Sequence, residues 1–309
     1  LPYRPKCWEK NPREPIQLTV GPLQLSPSIP SRDGKKLFAV GTHQRAELVR
    51  YDSKSGRFVP YLGGISAGDV DFSRDGQWVT YVSYPEGTLW RSKFDGSERL
   101  QLTYPPLFAA LVHWSPDGKQ IVFSGTTPGK SWKVFLVPRD GGTARAVTVT
   151  SDEFIETDPT WSADGKTLAF GHVHVLEARQ TFVELFHLDT SQISELPGSR
   201  GIFAPRWSPD GRYIIAVSHD GQKLMLYDVQ TQEWRQVASA PPYYGYFAWS
   251  RDSSYVYFDD TGSRFFRLRI SDAKLDKVAD FKNIQRFPDQ FTGSWSGLGP
   301  ADEPLRARA

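Results

Sequence analysis

One pentad recurs six times along this 309-residue chain and restricts its fold more than any other feature. The copies are Pro30-Ser31-Arg32-Asp33-Gly34, Phe72-Ser73-Arg74-Asp75-Gly76, Trp114-Ser115-Pro116-Asp117-Gly118, Trp161-Ser162-Ala163-Asp164-Gly165, Trp207-Ser208-Pro209-Asp210-Gly211 and Trp249-Ser250-Arg251-Asp252-Ser253. Successive aspartates are 42, 42, 47, 46 and 42 residues apart. Self-similarity at such a period marks a repeat architecture in which each unit is one supersecondary element. A β-type run follows each copy, at 36–40, 78–83, 120–124, 167–171, 213–218 and 255–259. After a variable loop comes another strand, as at 88–93 or 182–188, then a turn such as Asp95-Gly96 or Asp140-Gly141. A fourth strand, as at 99–103 or 144–148, completes the unit. Four short strands in about 44 residues make one propeller blade, and almost no segment has helical periodicity. The expected fold is an all-β propeller of four-stranded blades, one domain over 1–309.

The chain ends bear on ring closure. Ser294-Trp295-Ser296-Gly297 and the residues to 308 look like a degenerate seventh copy, while Arg13-Glu14-Pro15-Ile16-Gln17-Leu18-Thr19 matches the fourth strand of a repeat. Joining these two gives seven blades with a composite closing blade and leaves no open sheet edge. A six-bladed ring with frayed ends is the alternative, and further blades upstream are a third.

Within the pentad, Ser-x-Asp-Gly supplies a tight turn: the aspartate accepts backbone hydrogen bonds and the glycine takes a positive φ. The preceding Trp or Phe is large enough to fill the wedge between blades. These serines and aspartates are therefore scaffold residues rather than nucleophiles.

Composition removes several classes. Apolar side chains make up 39% and aromatics 14% of the chain, and 37 basic residues nearly balance 35 acidic ones. Disorder does not fit that mix, and neither does a nucleic-acid surface, which needs a clustered basic face. Cys7 is the single cysteine, so no internal disulfide or cysteine-rich zinc site forms. The longest apolar run, 107–112, is six residues, against about 18 for a bilayer span. No membrane insertion by this region is expected. The chain begins at Leu1 without a signal-peptide pattern, and reads as a mature or excised piece of something longer.

The pattern Trp-Ser-Pro-Asp-Gly-Lys-x-φ-x-Phe, clearest at Trp114 to Phe123 and Trp161 to Phe170, resembles the TolB-type, WD-like propeller repeat. It covers about 13–308 and departs from true WD repeats, since no blade has the Gly-His and Trp-Asp pair. More narrowly, segments such as Glu86-Gly87-Thr88-Leu89-Trp90-Arg91-Ser92 look like the C-terminal propeller of bacterial winged-helix regulators or serine/threonine kinases. That resemblance implies a noncatalytic ligand- or protein-binding module, the sensor or scaffold part of a larger signalling protein. It also implies an extracytoplasmic position if a membrane helix precedes the propeller; the residues themselves leave the compartment open. A propeller hydrolase, or the propeller half of a serine peptidase, is the alternative.

Few residues carry candidate chemistry. Gly64-Ile65-Ser66-Ala67-Gly68 matches a nucleophile elbow in letters only, since an elbow needs a strand before it and a helix after it. His172 and His174, two apart on a strand, share one face, and His219 holds the equivalent place one blade on, with Asp220 beside it. These three are the candidate metal ligands, with a polar loop as the simpler account; neither a metal nor a cofactor is expected. Recognition is expected on the face bearing the variable loops, because variable loops on a rigid repeat carry binding. Its aromatic candidates are Phe108, Phe203, Tyr243, Tyr244 and Tyr246, and its polar candidates near the channel mouth are Asp69, Asp71, His113, Glu156, Asp158 and Arg206. Rigid aromatics with sparse polar groups suit a protein or peptide partner first, and a small molecule or glycan second.

Overall fold

The computed structural model describes residues 24–42, 45–52, 54–148, 150–174, 177, 180–239, 247–260, 264–280, 296–298 and 304–308. It divides into two units, residues 1–43 and 44–309. In the first, β1 (Gln24–Pro30) and β2 (Leu37–Thr42) form an antiparallel pair around the Ser31-Arg32-Asp33-Gly34 turn. Ile29, Phe38 and Val40 of this pair are exposed.

The second unit is an all-β propeller of four-stranded blades. Five sheets are built from consecutive strands, and each repeats one antiparallel order. The first holds β5 (Ala67–Phe72), β6 (Trp78–Ser83), β7 (Leu89–Lys93) and β8 (Leu100–Gln101), and the second β9 (Phe108–Trp114), β10 (Gln120–Thr126), β11 (Lys133–Pro138) and β12 (Arg145–Ala146). The third holds β13 (Phe154–Trp161), β14 (Thr167–His174), β15 (Phe182–His187) and β16 (Gln192–Glu195). Then come β17 (Ile202–Trp207), β18 (Tyr213–Ser218), β19 (Lys223–Asp228) and β20 (Glu233–Ser239), followed by β21 (Ala248–Trp249), β22 (Tyr255–Asp259), β23 (Arg264–Arg269) and β24 (Leu275–Asp280).

A further sheet is composite: β25 (Ser296–Leu298) and β26 (Pro304–Arg308) pair with β3 (Glu47–Asp52) and β4 (Arg57–Pro60). A sheet shared by the two ends of the chain was expected, but with 13–19 as the partner of 294–308. Instead Leu305 pairs with Arg50 and Arg306 with Val49. Residues 13–19 lie outside the described residues.

The pentad turns form as the residue chemistry requires. Ser73 Oγ donates to Asp75 Oδ1 at 2.6 Å and accepts the Trp78 N–H at 2.9 Å, while Asp75 Oδ1 accepts the Gln77 N–H at 2.9 Å. The same pair of serine and aspartate recurs at Ser115/Asp117, Ser162/Asp164, Ser208/Asp210 and Ser250/Asp252. The closing position takes the left-handed region that glycine adopts without cost. In the last copy Ser253 holds it at φ 60°.

The core lies between blades. The second strands are buried almost end to end, as in β10 and β14, because both faces of each sheet are covered. One cluster joins Val82, Leu89 and Leu102 of one blade to Val112, Trp114, Ile121 and Phe123 of the next. Another joins Val122 and Leu136 to Trp161, Leu168 and Phe170. First strands of successive blades pack on each other, β5 on β9, β9 on β13 and β13 on β17, and so line the axis. The pentads, at the ends of these strands, are thereby gathered around one mouth of the channel. No helix among the described residues is long and apolar enough to cross a membrane.

Candidate functional site

At the pentad end of the axis lies a cavity of about 360 Å³. Its wall is aromatic, with Phe72, Trp114, Trp161, Trp207 and Trp249, one from each of five blades. Backbone and side-chain hydrogen bonds hold the tryptophans. Trp114 Nε1 donates to the Asp71 carbonyl at 3.2 Å, Trp161 Nε1 to the His113 carbonyl at 3.3 Å and Trp249 Nε1 to the Arg206 carbonyl at 2.9 Å. Each indole thus reaches back to an earlier blade and serves as both wedge and wall. Trp207 differs, donating to Gly211 within its own turn at 3.0 Å.

The polar lining comes from Asp71, His113, Thr160 and the pentad serines. Asp71 Oδ2 accepts the Trp114 N–H at 2.8 Å and lies 3.5 Å from His113 Nδ1. At the rim, the variable position of the pentad places Arg74 and Arg251, both exposed. Among the described residues neither arginine has an ion-pair partner. Charge in the surrounding turns is held by hydrogen bonds: the Ser73 hydroxyl, then the Gln77 N–H, keeps the Asp75 carboxyl below the ordinary aspartate range. Ser162 and Ser250 do the same for Asp164 and Asp252.

The sequence-predicted residues separate into groups. Asp71 and His113 meet in the cavity. Asp69 is buried, and its Oδ2 accepts the Leu111 N–H of the next blade at 2.6 Å. Arg206, also buried, pairs with Asp158 at 2.9 Å. Phe108 packs edge-on against Trp132, 5.9 Å between centroids. Phe203 meets His219 at 6.3 Å. Tyr243, Tyr244 and Tyr246 lie outside the described residues. The cavity therefore opens on the face of the short repeated turns, not on the face of the variable loops where recognition was expected. Trp207, Trp249, Arg74 and Arg251 were missed as lining residues because the pentad was read as scaffold alone; its place at the end of the axial strand was the available signal.

The three histidines do not converge. His174 Nδ1 accepts the Glu177 N–H at 3.0 Å, and His219 sits inside a further Ser-x-Asp-Gly turn, where Ser218 Oγ donates to Asp220 at 2.6 Å. His172 instead joins Glu156 and Glu184 in a buried group whose donor atoms lie within 4.8 Å of one another. Cross-strand register explains it: Glu156 pairs with His172, His172 with Phe182, and Glu184 is two residues beyond Phe182 on the same face. Gly64-Ile65-Ser66-Ala67-Gly68 is no elbow, since Ser66 makes an isolated bridge with Glu47 and its hydroxyl accepts the Ala46 N–H at 3.0 Å.

No family model matches the sequence. A TolB homolog of Chlorobium luteolum is 26% identical over 168 residues, 52% of this chain and 36% of that protein. An uncharacterized peptidase, YuxL, of Bacillus subtilis is 25% identical over 208 residues, 63% of this chain and 29% of that protein. The chain thus spans about a third of the length of these two curated relatives. Among solved structures, a putative TolB from Agrobacterium tumefaciens superposes with a TM-score of 0.67 at 19% identity, covering 86% of this chain and 99% of that one. A chain of a nidogen/laminin complex gives 0.59 at 11% identity, covering 77% and 94%, and an oligogalacturonate lyase from Vibrio parahaemolyticus gives 0.54 at 11%, covering 86% and 97%. Six Ser-x-Asp turns at blade spacing, the four-stranded sheets and these likenesses together show a β-propeller fold similar to that of TolB proteins.

Proposed function

We propose that this propeller is a noncatalytic protein-binding module whose pentad-end cavity receives an apolar peptide segment bearing acidic residues. One observation carries the reading: five aromatic rings wall the cavity and two exposed arginines, Arg74 and Arg251, which have no ion-pair partner among the described residues, stand at its rim. Rigid aromatic walls supply contact area at low entropic cost, and rim charges select the sign of the partner. Asp71 and His113 would orient the bound backbone. The role as sensor or scaffold in a larger bacterial signalling protein belongs to the same proposal, as does one domain of seven blades. β1 and β2 support that count, since they flank a pentad turn and carry apolar side chains of the kind the other blades bury.

The test is a selection from a library of defined peptides, followed by titration of the best binders with intrinsic tryptophan fluorescence as readout. Arg74→Glu with Arg251→Glu should weaken acidic peptides at least tenfold. Equal affinity for both proteins places recognition elsewhere, with the variable-loop face next to be tested through Phe203→Ala, Tyr244→Ala and Tyr246→Ala.

The likeness to a peptidase over 208 residues favours a second reading, the propeller part of a serine peptidase. Turnover of peptidase, esterase or lactonase substrates that survives repurification and is lost in Asp71→Ala would favour it over the noncatalytic one.

A further inference from the structure

The group around His172 stands apart from the cavity. Glu156 lies five residues before Trp161 on β13, about 17 Å along an extended strand from the pentad end. Glu156, His172 and Glu184 come from three adjacent strands of one blade, and their exposures are 0, 7 and 7%. Two carboxylates this deep in a protein need a cation or a proton, because burying an unpaired charge is costly. The nearby ammonium, Lys133, attracts both carboxylates through space but forms no direct ion pair with either. Its Nζ donates to Thr150 Oγ1 at 2.6 Å and to the Ser151 and Phe154 carbonyls at 2.8 Å each.

The surroundings are those of a held ligand set. The imidazole of His172 is stacked on Phe182 with 4.6 Å between centroids, and Phe154 covers it at 4.4 Å. Its Nδ1 lies 2.8 Å from Glu184 Oε2. Glu156 is oriented from outside: Thr148 and Thr150 donate their hydroxyls to its two oxygens, the second at 2.6 Å. Such outer hydrogen bonds orient carboxylate ligands, and an apolar shell keeps competing water out.

We propose that Glu156, His172 and Glu184 bind one divalent transition-metal ion, with Zn2+ the best match to one imidazole and two carboxylates. A tetrahedral zinc ion sets its ligands about 3.4 Å apart. The donor atoms here lie within 4.8 Å, so closing on the ion takes about 1 Å of motion from two glutamate side chains. The fourth position falls to a water. Set among three strands, the ion is structural: it ties the loop-face end of the blade together and neutralises the two buried carboxylates.

The experiment uses the whole chain, stripped with chelator and titrated calorimetrically with ZnCl2, with CoCl2 as the spectroscopic probe. One ion per chain is expected, with Co2+ giving the visible absorption of a four-coordinate nitrogen and oxygen site, and with Zn2+ at a hundredfold excess over its Kd raising the Tm by about 5–10 °C. Glu156→Gln with Glu184→Gln preserves shape and should abolish the stoichiometric site; circular dichroism of the stripped variant establishes that it folds. His174→Ala with His219→Ala should bind as the unaltered chain does. Absence of stoichiometric binding overturns the proposal. Binding lost with His174 and His219, or kept without the two glutamates, overturns it equally.

Discussion

Arg206 on β17 reaches back to Asp158 on β13, Nη2 to Oδ1 at 2.9 Å, with side chains only 5% and 16% exposed. The same guanidinium donates to the Asp158 carbonyl at 3.3 Å and the Pro205 carbonyl at 2.8 Å. Asp158 sits at φ 55°, and Leu111 and Ala204 hold the matching place in the neighbouring blades at 55° and 54°. Each lies three residues before its blade's tryptophan, where the pairing of first and second strand shifts register. The bulge turns this residue toward the next blade, and at Asp158 the turn makes an ion pair.

Removing one partner of such a pair leaves a charge buried without its counterpart. Asp158→Asn keeps the shape and tolerates the left-handed backbone, so the loss isolates the charge: about 3 kcal/mol is expected, read as a lower urea midpoint. Asp158→Asn combined with Arg206→Met should lose less than the sum of the two. A single change within 0.5 kcal/mol, as for an ordinary surface position, would show that the pair contributes little.

Acid should weaken the pentad turns. In Asp75, Asp164 and Asp252 the serine hydroxyl, followed by a backbone N–H, holds the folded carboxyl below its ordinary value. A depressed folded pKa means stability that is complete above the unfolded value, about 3.9, and is lost as pH falls through the folded one. The Tm should therefore hold steady from pH 7 to 5 and drop below pH 4. Ser73→Ala, Ser162→Ala and Ser250→Ala together should flatten that drop; an unchanged acid limb would contradict the assignment.

Two glycines separate backbone strain from steric conflict. Gly87 and Gly118 have nearly the same φ, 66° and 67°, but a Cβ on Gly87 would fall 2.0 Å from Phe108 Cδ2, whereas one on Gly118 meets nothing within 4 Å. Gly118→Ala should cost about 1–2 kcal/mol, the left-handed penalty. Gly87→Ala should cost about 1–3 kcal/mol more, the range of overpacking, in thermal or urea unfolding.

Rim charge predicts a salt dependence. Arg74 and Arg251 are exposed, so their attraction for an acidic peptide is screened once the Debye length shrinks to a few ångströms. Association of a selected peptide should slow at least severalfold between 0.05 and 0.5 M salt on the order expected for steered binding, with dissociation little changed. Stopped-flow fluorescence separates the two, and a salt-independent association rate would remove the arginines from recognition.

Much of this architecture is written in local chemistry. A serine, an aspartate and a glycine at fixed spacing close the same turn wherever they occur, so the pentads, the strands after them and the four-strand blade were legible residue by residue. Even the deviation at Ser253 is visible in the letters. The same locality misled on function, because a residue that builds a turn says nothing about what stands across from it. Trp207 and Arg251 were scaffold letters until the ring placed them around one cavity with Phe72, Trp114 and Arg74.

Long-range pairing decided the rest. No spacing rule brings 304–308 beside Glu47–Asp52 in preference to 13–19, since strand edges accept any partner of suitable register. Nor does any motif join Glu156, His172 and Glu184, which are spread over 29 positions and meet through the alignment of three strands. The amino-acid order determined the repeating turns and hence the blade, because those depend on neighbours within five residues. Tertiary structure alone decided which blade ends meet and which side chains face one another, because hydrogen-bonded edges and buried charges are satisfied across the fold, not along the chain.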